Sequence, residues 1–79
     1  IRLLYFVQLA KLTGRDEEEV AIPDSVSNVE TLLAWLCGRR QEWHEAFQAN
    51  KVQVTVNRNF AEPFTLIEHG DEVAIVPRG

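Results

Sequence analysis

The sequence predicts an α+β fold, in which one helix crosses a mixed sheet of four to five strands. Residues 1–9 and 72–76 are the most apolar stretches of the chain, which is typical of central strands covered on both faces. Val52, Val54 and Val56 alternate with polar residues, as in a strand with one face in water. Between these stretches, apolar residues recur every three or four positions, which predicts a helix with one buried stripe: Val29, Leu32, Leu33, Leu36 and Cys37.

Composition narrows the class of protein further. The 79 residues suffice for one domain, and 46% hydrophobic with 25% charged residues is typical of a globular chain. The net charge of −4 argues against nucleic-acid binding, because phosphate contacts need a basic surface. We expect no membrane span, since the sequence has no run of 18 apolar residues. A single cysteine, Cys37, excludes an internal disulfide framework and fits a reducing cytoplasm, where we expect the protein to be located.

Two short elements are predicted between the first strand and the main helix. Residues 10–14 favour one helical turn that ends at Gly14, since glycine accepts the left-handed backbone that follows many helices. Apolar and polar residues alternate over 19–22, which predicts a half-exposed strand paired with the first strand as a hairpin. Pro23 ends this strand, because proline cannot donate a hydrogen bond to the ladder.

The main helix has recognisable start and stop signals. Ser27 and Glu30 have the spacing of a capping box, in which each side chain accepts a hydrogen bond from the backbone amide of the other. Gly38 is the expected end of the helix. A second and shorter helix is predicted over 41–49, where three apolar side chains fall on one side: Trp43, Ala46 and Phe47.

The C-terminal half completes the predicted sheet. Residues 57–59 have turn chemistry, because asparagine tolerates a positive φ, and 64–67 form a fourth predicted strand. A tight turn at 69–71 leads to the last strand, 72–76. Because the first and last strands are the most hydrophobic, we expect them side by side at the centre. This arrangement, with one helix crossing between them, is a β-grasp sheet.

Four stretches, in this order and at this spacing, carry a resemblance to a known family across the whole sequence. They are Leu4-Tyr5-Phe6-Val7-Gln8-Leu9-Ala10 with Leu12-Thr13-Gly14, then Val29-Glu30-Thr31-Leu32, Val54-Thr55-Val56-Asn57, and His69-Gly70-Asp71-Glu72-Val73-Ala74-Ile75-Val76-Pro77. The sequence resembles the small subunit of molybdopterin synthase, a family of ubiquitin-like sulfur carriers. The resemblance implies a β-grasp domain over residues 1–76 and a flexible C-terminal tail over 77–79.

The resemblance also implies a function for the chain end. In this family an E1-like activating enzyme uses ATP to adenylate the terminal carboxylate, and this transient AMP adduct becomes a thiocarboxylate. The tail then enters the large synthase subunit, in a heterotetramer, and gives its sulfur to a pterin precursor in molybdenum-cofactor biosynthesis. Gly79 would carry the sulfur, and no bound cofactor is implied. Glycine suits a narrow channel because it has no Cβ.

The ending of the sequence departs from the family pattern. Family members end in a Gly-Gly pair, whereas this sequence shows Pro77-Arg78-Gly79. Either the sequence stops short of the natural end, or this member has a shortened tail. The number of tail residues determines how far the terminal carboxylate can extend into a partner, since an extended chain gains about 3.3–3.6 Å per residue.

By position in the family, six residues correspond to the partner-binding surface or adjoin it. Phe60 follows a polar turn, so we expect its ring to be exposed at an interface. For Phe6 and Ile75, a position in the hydrophobic core remains an alternative to a partner contact. The partner is the large synthase subunit, and the full set of partner-binding residues is Phe6, Phe60, Ile75, Val76, Pro77 and Arg78.

The sequence gives little support for a metal site or a catalytic thiol. Cys37, His44 and His69 match no metal-ligand spacing, so no metal site is expected, and a buried Cys37 would be a poor nucleophile. No acid, base and nucleophile cluster is evident, so we expect a non-catalytic subunit of a transferase complex. Two alternatives remain: a sulfur carrier for thiamine synthesis or tRNA thiolation, and a β-grasp module that binds proteins without covalent chemistry.

Overall fold

The computed structural model describes residues 1–78. Within that range the chain forms strands and helices in a β-grasp order, with a 3-10 turn (Ala49–Lys51) before the third strand. The elements are β1 (Arg2–Tyr5), α1 (Gln8–Thr13), β2 (Glu17–Glu19), α2 (Val29–Arg39), α3 (Trp43–Ala46), β3 (Val52–Val56), β4 (Asn59–Phe60) and β5 (Glu72–Pro77).

The sheet has the strand order β2-β1-β5-β3-β4, with β1 and β5 parallel and the other pairs antiparallel. The first and last strands are therefore neighbours at the centre, as the sequence predicts, and the β-grasp fold is confirmed. Ile75 lies opposite Tyr5 on one side and Val54 on the other. This register places alternate residues of three strands on one face.

Helix α2 covers that face and completes the core. Its stripe of Val29, Leu32, Leu33 and Leu36 is buried as predicted, but Cys37 is only partly buried because it lies at the edge of the stripe. An aromatic cluster closes one end of the core. The ring of Phe47 lies 6.0 Å from that of Tyr5 and 5.5 Å from that of Trp43, between ring centroids.

Two strands lie elsewhere than predicted. Strand β2 is Glu17–Glu19 rather than 19–22, because its backbone pairs with β1 and the Glu17 carboxylate contacts Arg2 at 2.8 Å. Strand β4 is Asn59–Phe60 rather than 64–67. Residues 64–67 instead pack against the start of α2, where the Val29 N–H donates to Thr65 O at 3.0 Å.

The predicted ends of the helices and strands agree with the structure in some cases and differ from it in others. The predicted stop of α1 at Gly14 is confirmed, with a φ of 79°. The predicted capping box is one residue off, since Asn28 is the N-cap and Thr31 is its partner. Gly38 lies inside α2, which continues to Arg39, and β1 ends at Tyr5 rather than residue 9. Within residues 1–78, no helix combines the length and apolar character needed to cross a bilayer.

Candidate functional site

The face of the sheet that points away from α2 forms an open, shallow surface. Cross-strand neighbours share a face, and the register places Leu4, Ala74, Thr55 and Phe60 in one row across four strands. We call this surface the open sheet face. Its residues are Arg2, Leu4, Phe6, Thr55, Arg58, Phe60, Glu72, Ala74 and Val76.

The open sheet face is divided into a charged half and an apolar half. In the charged half, Arg2 pairs with Glu17 at 2.8 Å and Arg58 lies 3.7 Å from Glu72. Exposed pairs of this kind contribute at most about 1 kcal/mol each, so they tune solubility and orientation more than stability. The apolar half lies towards the end of β5, the end from which the C-terminal tail leaves: Leu4, Phe6, Ala74 and Val76.

Exposure separates the sequence-predicted partner residues into two groups. Phe60 is 83% exposed and Phe6 is 43% exposed, so both rings are available to a partner. Ile75 is fully buried, at 0% exposure, because its position in β5 points towards α2; of the two positions that the sequence left open for it, the structure shows the one in the core. Val76 is half-buried on the open sheet face.

The root of the tail is held by β3. Pro77 belongs to β5 and lies opposite Val52, so sheet pairing extends one residue beyond the predicted domain limit of 76. The Arg78 N–H donates to Lys51 O at 2.8 Å, and Arg78 Nε donates to Val52 O at 3.0 Å. Gly79, the predicted sulfur-bearing residue, lies outside the described residues.

Sequence reasoning missed the conformation of Val7. This β-branched residue follows Phe6, is exposed, and has a φ of 55°, a backbone state that costs free energy for any residue except glycine. It makes the sharp change of direction from β1 to α1 and leaves the Phe6 ring at the edge of the open sheet face. An apolar run gives no signal for such a turn.

The remaining candidate groups do not form a site of their own. The Cys37 thiol donates to His44 O at 3.3 Å, and burial raises the pKa of Cys37, which disfavours the reactive thiolate. Across residues 1–78, no three His, Cys, Asp or Glu side chains lie close enough together to hold a metal ion.

Comparison with known proteins identifies the family. The family model described as the ThiS family matches residues 3–78. The chain belongs to the ThiS family. This ThiS-family chain is 34% identical over 80 residues to the molybdopterin synthase sulfur carrier subunit of Escherichia coli (strain K12), an alignment covering 98% of this chain and 93% of the relative. The resemblance seen in the sequence is thereby confirmed.

Solved structures support the fold of this ThiS-family chain. A molybdopterin converting factor, subunit 1, from Pyrococcus furiosus superposes with a TM-score of 0.79 at 24% identity, covering 99% of this chain and 95% of the other. Small archaeal modifier protein 1 of Haloferax volcanii gives a TM-score of 0.73 at 23% identity, with the same two coverages of 99% and 95%. At these identities the likeness concerns the fold.

Proposed function

We propose that this protein is the sulfur-carrier subunit of molybdopterin synthase, bearing sulfur as a C-terminal thiocarboxylate for transfer to a pterin precursor. One observation carries the proposal: the apolar half of the open sheet face lies beside the root of the C-terminal tail. A partner that covers this surface is therefore positioned to receive the chain end. The 34% identity to the E. coli sulfur carrier subunit over nearly its whole length supports the same conclusion.

The chemistry follows from the properties of a carboxylate. A terminal carboxylate is a poor acyl donor, because neither oxygen leaves readily. An E1-like adenylating enzyme with ATP would form an acyl adenylate and release pyrophosphate. Hydrosulfide from a sulfur donor then attacks the carbonyl carbon, AMP leaves with the bonding electron pair, and loss of the remaining proton on sulfur gives the thiocarboxylate. Gly79 is the proposed acyl residue, and its lack of a Cβ permits passage through a narrow channel.

Each part of the chain has a separate task in this scheme. We assign the large-subunit contact to Phe6, Phe60 and Val76, where exposed apolar surface is available for burial. Pro77 and Arg78 are assigned the task of anchoring the tail root at the start of β3. The assembly with the large subunit is proposed to be a heterotetramer in the cytoplasm.

Intact-mass spectrometry tests the proposal. The protein with its natural C-terminus is incubated with its activating enzyme, ATP and a sulfur donor, and the expected product has one oxygen replaced by sulfur. Addition of the large subunit and the pterin precursor should restore the original mass. Loading without this restoration would assign the protein to another sulfur pathway, such as thiamine synthesis or tRNA thiolation. An unchanged mass, beside a carrier that the same enzyme does load, would favour a non-covalent binding module.

A further inference from the structure

A cluster of arginines lies on the helix side of the domain, away from the open sheet face. Three of the eight basic residues of this acidic chain line one small cleft between the end of α1, strand β2 and the end of α2. The residues that line the cleft are Thr13, Arg15, Glu18, Arg39, Arg40 and Trp43.

The floor of the cleft is a buried carboxylate. The Glu18 side chain is only 6% exposed, and its oxygens lie 2.7 Å from Arg39 Nη1 and 3.6 Å from Arg15 Nη1. The Tyr5 hydroxyl donates to the same carboxylate at 3.4 Å. Burial, followed by the negative charge of Glu18, raises the pKa of Tyr5 to about 12, so this hydroxyl remains a donor. Three guanidinium groups against one carboxylate leave the cleft with two excess positive charges.

Tryptophan rings hold the guanidinium groups in place. The guanidinium carbon of Arg39 lies 5.0 Å from the Trp35 ring centroid and 5.4 Å from that of Trp43, while that of Arg40 lies 6.0 Å from Trp43. Such cation–π contacts orient the planar groups before any ligand arrives. The indole N–H of Trp43 is buried and has no hydrogen-bond acceptor among the described residues. The cleft therefore has more donors than acceptors.

The donors at the rim decide which ligand fits. Arg40 makes no ion pair within residues 1–78, and Arg15 is 58% exposed with only a long contact to Glu18. These two guanidinium groups are available to an anion from outside. A carboxylate suits them, because guanidinium and carboxylate groups form paired hydrogen bonds. An acidic segment has a second advantage over a single phosphate ion: its carboxylates are linked on one chain, so binding of the first raises the effective concentration of the next at the second guanidinium group.

We propose that this arginine cleft is a docking site for an acidic segment of a partner protein, whose Asp or Glu carboxylate pairs with Arg15 and Arg40. The choice of an acidic partner rests on charge complementarity, because the cleft is a local positive region on a chain of net charge −4. The cleft lies on the opposite side of the sheet from the open sheet face. It can therefore be occupied while that face is covered, and the inference does not depend on the proposed sulfur chemistry.

Titration of the ¹⁵N-labelled full chain by NMR tests the site. The probes are a hexaglutamate peptide, a hexaglutamine peptide of equal length, and inorganic phosphate at the same ionic strength. Hexaglutamate is expected to shift the Arg15 and Arg40 side-chain signals and the Trp43 indole N–H signal. Hexaglutamine is expected to leave them in place, and phosphate to bind at least about tenfold more weakly, because a single ion lacks the linked carboxylates of the peptide.

Charge-reversal variants locate the binding. Arg40→Glu is expected to weaken hexaglutamate binding about tenfold, and Arg15→Glu to act in the same direction. Arg58→Glu makes the same change in net charge on the open sheet face and is expected to leave binding nearly unaltered. Arg40 takes no part in the pairing with Glu18, so its variant should fold even if Arg15→Glu does not. Equal weakening by Arg58→Glu, absent shifts at the cleft, or equal binding of phosphate would each overturn the proposal.

Discussion

Phenylalanine residues occupy two opposite environments in this protein. Phe47 is fully buried and packs edge-on against Tyr5, where its ring contributes dispersion and aromatic contacts to the core. Phe60 and Phe64 instead expose most of their rings, at 83% and 74%. Apolar surface of this size gains about 25 cal/mol per Å² only when it is removed from water. The ring of Phe60 thus adds little to the free domain and a large amount to a complex that covers it.

Truncation of Phe60 should separate binding from folding. Phe60→Ala is expected to weaken association with the large synthase subunit by about tenfold or more, because a large exposed aromatic ring that the partner would bury is lost. The free energy of unfolding should change by no more than about 0.5 kcal/mol, since the ring is exposed in the free domain. Titration calorimetry gives the affinity and urea unfolding gives the stability.

Phe64→Ala is the matched control for this prediction. It removes an equally hydrophobic and similarly exposed ring that lies outside the row of cross-strand neighbours forming the open sheet face. Its affinity for the large subunit should be close to that of the unmodified protein. Unaltered affinity of the Phe60 variant would remove Phe60 from the interface, and equal losses in both variants would indicate a general effect of surface hydrophobicity.

At the level of single elements, the start of α2 is fixed by a reciprocal pair of hydrogen bonds. The Thr31 N–H donates to Asn28 Oδ1 at 2.8 Å, and the Asn28 N–H donates to Thr31 Oγ1 at 3.0 Å. Asn28→Ala should therefore lower the free energy of unfolding by about 1 kcal/mol, measured in urea. Ser27→Ala, at the cap position predicted from the sequence, should change it by a few tenths at most. The opposite ranking would place the cap at Ser27.

A second set of local hydrogen bonds joins the turn after β3 to the turn before β5. Asp71 accepts hydrogen bonds from the Glu68 N–H at 2.8 Å and from Asn57 Nδ2 at 3.0 Å. The Glu68 hydrogen bond, followed by that from Asn57, lowers the pKa of Asp71 below its ordinary value of 3.8. A carboxyl with a lowered pKa in the folded state stabilises the fold above the unfolded value and loses that contribution as pH falls through the folded value.

Asp71→Asn should therefore reduce stability at neutral pH by about 1 kcal/mol, because the amide replaces one charged acceptor oxygen with a donor. The difference from the unmodified protein should persist at pH 5 and shrink below about pH 4, where the carboxyl becomes protonated. Urea unfolding at pH 7, 5 and 3 measures this dependence. If the stability difference between the two proteins stays constant across this pH range, the charge of Asp71 does not contribute to the hydrogen bonds between the two turns.

Some of the strands and helices could be predicted from the local sequence pattern, and others could not. Strand β3 and the buried stripe of α2 follow from local periodicity, because each buries one face against a single layer. Strand β2 does not, since Glu17–Glu19 has no apolar alternation and is held by pairing with β1 and by the contact of Glu18 with Arg39. Strand β4 pairs only Asn59 and Phe60 with β3, which is too short for a periodic signal. Long-range contacts decide β2, whereas β4 is the short return strand of a local hairpin with β3.

For the molecule as a whole, the buried core and the root of the tail are formed by different residues. The buried core runs from Ile1 to Ile75 and draws on every layer of the fold, whereas the tail root is joined to the body through Pro77 and Arg78. Family resemblance predicted the carrier role, and the polar turn before Phe60 predicted its exposed ring. The burial of Ile75 could not be read in advance, because it depends on the register between β5 and its two neighbours.

Removal of the acyl residue should abolish sulfur transfer without unfolding the domain. In a chain that ends at Gly79, its deletion should eliminate thiocarboxylate formation, measured by intact mass, because the activating enzyme then meets the carboxylate of Arg78 with its bulky side chain. The thermal midpoint should move by no more than about 2 °C, since the core lies within residues 1–75. Gly79→Val is the companion variant: it keeps the chain length and adds a branched side chain at the reacting position. If either variant forms and transfers a thiocarboxylate at the normal rate, a side-chain-free end is not what the partners require, and the tail assignment is wrong.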